Sequence, residues 1–113
     1  MTENQCIFAL TIIGLLTKKV SSLYMAKILV IDDERAIRNT LKEILEFEGY
    51  SVDVAENGRA GLERALAGAY DLIFTDIKMP EMDGMEFLQA YREGMALHGE
   101  EAPVVVITGH GSV

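Results

Sequence analysis

From residue 26 onward, apolar residues recur along the chain in two alternating rhythms. Residues 27–31 (KILVI) form a short run, apolar after its first residue, that stops at Asp32, Asp33 and Glu34. Such a run suits a strand covered on both faces, as in a parallel sheet. Over residues 34–48 the spacing lengthens. Ile37, Leu41, Ile44 and Leu45 fall on one helical stripe, and Gly49 supplies a stop. Residues 51–55 (SVDVA) alternate as a strand does, Asn57 and Gly58 mark a turn, and Leu62, Ala65, Leu66 and Ala69 trace a second helical face. Residues 71–75 (DLIFT) read as a third strand, followed by Asp76 and a loop holding Pro80, Asp83 and Gly84. Met85, Leu88, Tyr91 and Met95 set a third helix with Arg92 at its edge, and residues 103–108 (PVVVIT) read as a fourth strand. Strands joined through helices of this length imply right-handed crossovers and a parallel α/β sheet.

In open sheets of this kind, the loops at the carboxyl ends of the strands form the site. Those ends carry Asp32, Asp33, Asp76 and Thr108. If the first and third strands are neighbours, three carboxylates meet in one crevice and raise one another's pKa values. A hard divalent cation removes that penalty, and Mg²⁺ is typically held by one or two carboxylates, waters and phosphate oxygens. A carboxylate is also a competent nucleophile toward phosphorus, and the Thr108 hydroxyl is placed to bond the oxygens of a transferred group. Each feature alone has a plainer reading. Asp33 and Glu34 suit a helix N-terminus. Asp71, Glu81 and Asp83 read as surface or turn residues, His98 and His110 as structural or exposed, and the methionines as packing.

Composition narrows the partners. At 113 residues the chain is one domain, with 50% hydrophobic and 25% charged residues. A net charge of −8 argues against direct binding of nucleic acid, which needs clustered Lys and Arg. The single cysteine, Cys6, excludes an internal disulfide and fits a reducing cytoplasm. Residues 6–16 are almost wholly apolar, yet too short for a membrane span. Lys18 and Lys19 follow the run and Glu3 precedes it, the reverse of a secretory signal. Residues 1–24 therefore read as an apolar extension of uncertain role, with translation from Met25 as the plain alternative, and 25–113 as the folded domain.

The segments 27–34 (KILVIDDE), 75–84 (TDIKMPEMDG) and 104–109 (VVVITG) closely resemble the receiver domains of bacterial two-component response regulators. The resemblance runs from about residue 26 to 113. It implies a flavodoxin-like, doubly wound parallel sheet, in family order 2-1-3-4-5. By the same resemblance Asp76 accepts a phosphoryl group from a sensor histidine kinase. Asp33 and Asp76 ligate Mg²⁺ directly, Asp32 acts mostly through water, and the backbone carbonyl of Lys78 completes the protein ligands. Thr108 matches the switch hydroxyl, and Pro80 and Gly84 match residues that shape the adjoining loop. Such a module signals to an output domain or protein. It is no enzyme beyond its own phosphorylation and dephosphorylation.

The family pattern continues past the fourth strand with a helix, a fifth strand ending in a lysine that pairs with the phosphoryl group, and a last helix. Here those elements are expected to be absent, leaving order 2-1-3-4 and a domain incomplete at its C-terminus; Lys78 is not the family lysine. Loss of that cation is expected to weaken phosphorylation. The alternative reading is a phosphorylation-deficient pseudo-receiver kept for protein docking. A magnesium-dependent phosphohydrolase ranks last, because such enzymes carry an Asp two residues after the nucleophile, where this chain has Lys78.

Overall fold

The computed structural model describes residues 26–97 and 100–107. Strand β1 (Lys27–Ile31) leads to helix α1 (Arg35–Phe47), β2 (Ser51–Ala55), α2 (Gly58–Ala67), β3 (Leu72–Asp76), α3 (Gly84–Met95) and β4 (Val104–Ile107). The strands are parallel and lie in the order β2-β1-β3-β4, as expected. Among the described residues no helix is long and apolar enough to cross a membrane. The readings made for residues 1–24, His98, His110 and Thr108 concern positions outside the described residues.

The sheet is covered on both faces, which explains the apolar runs at the centres of β1, β3 and β4. Ile37, Leu41 and Leu45 of α1 pack on one face against Ile28, Val30, Val52, Leu72 and Phe74. On the other face Ala65 of α2 and Phe87 and Tyr91 of α3 pack against Leu29, Ile31 and Ile73. Burying a side chain such as Phe74 or Leu29 contributes about 2–3 kcal/mol. The helices end where their sequences stop supporting them. Gly49, at φ 98°, turns the chain out of α1 in a conformation that disfavours any Cβ. Asn57 caps α2 by accepting from the Ala60 N–H at 2.8 Å. Asp83 caps α3 in a reciprocal box with Glu86, at 2.8 and 3.1 Å. Asp83 is thus the helix-leading turn residue that its Asp-Gly sequence suggested.

Three sequence expectations shift. The face of α3 is set by Gly84, Phe87 and Tyr91, whereas Met85 is 52% exposed. Phe87 and Tyr91 stack with ring centroids 5.9 Å apart, so two aromatic rings one turn apart take the contact that Met85 was expected to make. Helix α2 stops at Ala67, leaving Ala69 outside it, and Leu66 is largely on the surface. Strand β3 begins at Leu72 rather than Asp71 and includes Asp76. Asp71 is no loose surface acid: its carboxylate accepts the Lys27 N–H at 2.8 Å and ties the entry of β3 to that of β1.

Candidate metal centre

Register brings the acids together. Ile31 of β1 pairs with Thr75 of β3, so the next residue on each strand, Asp32 and Asp76, emerges at the same level on neighbouring strands. Asp33 follows in the turn before α1. One carboxylate oxygen from each of Asp32, Asp33 and Asp76 lies within 4.8 Å of the others. Asp32 and Asp76 are buried and Asp33 is exposed, so two donors form a floor and the third a rim open to solvent.

The backbone beneath the cluster is held at several points. The Asp32 N–H donates to Ala55 O at 3.2 Å, and Asp32 Oδ1 accepts the Glu34 N–H at 2.9 Å. The guanidinium of Arg38 donates to the Asp32 carbonyl at 2.7 Å. On the β3 side, the Gly84 N–H donates to Ile77 O at 2.9 Å. A Cβ at Gly84 would meet the Asp76 carbonyl oxygen and lie 2.9 Å from Ile77 Cα, so α3 reaches this close only with glycine there. Between them, Glu81 has φ 66° and Met82 N–H donates back to Pro80 O at 2.7 Å. That is a γ-turn with positive φ, a strained form worth about 1–3 kcal/mol. The strain lies in the loop that follows Asp76.

Electrostatics match the geometry. Burial pushes the Asp32 carboxyl up from its ordinary 3.8 to about 6. The Glu34 N–H opposes the rise, and the charges of Asp76, Asp33 and Glu34 add to it. Within the bare cluster, Asp32 therefore carries its charge reluctantly. Its donor set is all hard oxygen, which suits a small divalent ion such as Mg²⁺ and offers nothing to a soft metal. Beside it an open cavity of about 430 Å³ is lined by Asp33, Arg35, Arg38, Asn57, Arg59 and Pro80.

Strand-end acids, a doubly wound parallel sheet and the loop after β3 together define a family pattern. A family model described as the response regulator receiver domain matches residues 28–113. The chain belongs to the response-regulator receiver family. The receiver is 42% identical over 85 residues to the transcriptional regulatory protein ResD of Bacillus subtilis, covering 75% of this chain and 33% of that protein. It is 38% identical over 87 residues to response regulator MprA of Mycolicibacterium vanbaalenii, covering 77% of this chain and 36% of that protein. The chain thus spans about a third of the length of these relatives. Among solved structures, response regulator TrrA of Thermotoga maritima in complex with Mg²⁺-BeF superposes with TM-score 0.61 at 32% identity, over 78% of this chain and 91% of that one.

Of the residues singled out in the sequence, the receiver fold gathers Asp32, Asp33 and Asp76. Lys78 lies exposed two residues beyond Asp76, and Thr108 is outside the described residues. Sequence reasoning missed Arg38, whose bond to Asp32 spans six positions from a helix to the preceding loop. No local motif announces such a reach. It also missed the strain at Glu81, read only as a surface or turn residue, because glutamate is not a residue type that signals positive φ.

Proposed function

We propose that this receiver takes a phosphoryl group onto Asp76 from the phosphohistidine of a sensor histidine kinase, as the phosphoacceptor of a two-component relay. Asp32, Asp33, Asp76 and the backbone carbonyl of Lys78 would hold Mg²⁺. When bound, Mg²⁺ supplies the positive charge that lets three carboxylates and an incoming phosphoryl group share one crevice. An Asp76 carboxylate oxygen attacks phosphorus, the P–N bond to the donor imidazole breaks, and its electron pair stays on the nitrogen, which takes up a proton. An acyl phosphate results. The buried floor excludes water from the attacking oxygen, and Gly84 lets the backbone of α3 brace the strand end. The Thr108 hydroxyl would then bond the new phosphoryl oxygens. An output domain or separate effector would read the state. The observation that carries this reading is the convergence of three carboxylate oxygens within 4.8 Å at the carboxyl edge of the sheet.

The test uses phosphoramidate with Mg²⁺ and intact-mass spectrometry of the folded chain. One added phosphoryl group is expected in the parent protein and none in Asp76→Asn. A folded parent that gains nothing, or an Asp76→Asn variant that still gains the group, refutes the assignment.

A further inference from the structure

We infer that Arg38 is a positioning residue for the acid pair, setting where Asp32 and Asp33 present their carboxylates to a divalent ion; this rests on the reading of the cluster as a Mg²⁺ site. Asp32 and Asp33 occupy the short junction between the end of β1 and the first turn of α1. A junction of this kind depends on the hydrogen bonds its backbone finds where the sheet ladder ends and the helix ladder has yet to begin. The Asp32 N–H is taken by Ala55 O of β2 at 3.2 Å. The Asp32 carbonyl is taken by the Arg38 guanidinium at 2.7 Å, a short bond from a charged donor. Asp32 is therefore held through the peptide on each side of it, by Ala55 O at its N–H and by the Arg38 side chain at its carbonyl.

Arg38 is well suited to hold rather than merely cover. Its own backbone N–H donates to Glu34 O at 3.0 Å, so its Cα is fixed by the α1 ladder before its side chain turns back. The side chain is half-buried, and the bond runs to a carbonyl rather than to a carboxylate of the cluster. Arg38 thus takes no carboxylate oxygen of the cluster, of which Asp32 Oδ1 already accepts the Glu34 N–H, and it fixes the peptide that links the two acids. Rotating the Asp32–Asp33 peptide would change how the Asp33 carboxylate on the rim lies relative to Asp32 on the floor. Asp33 lines the open cavity together with Arg38 itself. Groups that orient metal ligands without touching the metal typically change affinity by roughly 10–100-fold when removed.

The experiment measures Mg²⁺ binding by isothermal titration calorimetry at pH 7.5 on the full chain and on Arg38→Met, Arg38→Gln and Arg38→Lys. It also measures the Mg²⁺ dependence of phosphoramidate labelling and urea unfolding in EDTA. Arg38→Met is expected to weaken Mg²⁺ by roughly tenfold, the low end for such residues. Arg38→Lys, which keeps a long cationic donor, recovers most of that loss. At saturating Mg²⁺ the labelling rate of Arg38→Met returns to near the parent value, because Asp76 is untouched. Unchanged or tighter Mg²⁺ binding in Arg38→Met overturns the inference, as does a loss confined to unfolding in EDTA. If Arg38→Met does not fold, Arg38→Gln, too short to reach the carbonyl, carries the same comparison with the same outcomes. A parent chain that binds no Mg²⁺ defeats instead the metal-site reading beneath it.

Discussion

Replacing Asp32 by Asn should make the metal-free protein more stable while destroying its metal site. Asp32 is 3% exposed, and its carboxyl is raised from 3.8 to about 6. A carboxyl whose pKa is higher in the folded than in the unfolded chain binds its proton more tightly when folded. Its contribution to stability is therefore full below pH 3.8 and is lost as pH rises toward about 6. Above that window the charged group is a fixed burden of about 3 kcal/mol, from roughly two pKa units at about 1.4 kcal/mol each. Asparagine has no charge to desolvate, and its side-chain oxygen can still accept the Glu34 N–H that Asp32 accepts at 2.9 Å. At pH 7.5 in EDTA, Asp32→Asn should gain about 2–3 kcal/mol. With a urea slope of about 1–3 kcal/mol per molar, that moves the midpoint upward by about 1–3 M. Added Mg²⁺ should stabilise the parent and leave the variant nearly unmoved, since only a protein that binds the ion gains from mass action. Equilibrium urea unfolding followed by circular dichroism, with EDTA and then with Mg²⁺, provides the comparison. An Asp32→Asn variant equal to or weaker than the parent in EDTA would refute the claim that this carboxylate is held against its preference.

Proton competition follows from the same group: Mg²⁺ affinity should be steady above pH 7 and fall by up to about tenfold per unit below pH 6, measured by calorimetry at fixed ionic strength. A flat profile between pH 7 and 5 would exclude Asp32 from the site. Gly84→Ala, ordinarily a gain of about 1 kcal/mol inside a helix, should instead lose about 2–3 kcal/mol and slow labelling of Asp76, because the new Cβ meets the backbone of Asp76 and Ile77. A stabilised variant in urea would show that α3 can back away without consequence. Tyr91→Phe should lose about 1–3 kcal/mol in urea unfolding, since the buried Ala102 N–H donates to the Tyr91 hydroxyl at 2.8 Å and would be left with no acceptor there. No change would mean that water replaces the hydroxyl.

The order of elements was legible from residue spacing alone. KILVI, SVDVA, DLIFT and VVVI are too short for helices and too apolar for loops, and the stretches between them repeat near every 3.6 residues. Parallel pairing followed from the length of the crossovers, and the three acids were recognisable because they stood at two strand ends, after β1 and at the end of β3. The Asp-Gly step at 83–84 was legible as a turn leading into a helix, while its reciprocal cap with Glu86 was seen only in the structure. What the sequence could not supply were quantities that depend on neighbours distant along the chain. Met85 and Phe87 are equally apolar, and only the packing of α3 against α2 and the sheet buries one and exposes the other. The pKa of Asp32 is raised by burial and by charges that include a carboxylate 44 residues away in sequence, and Arg38 folds back onto the carbonyl of a residue six positions before it with no motif to announce the bond. Periodicity is written residue by residue, whereas desolvation and reach exist only once separate segments share a volume.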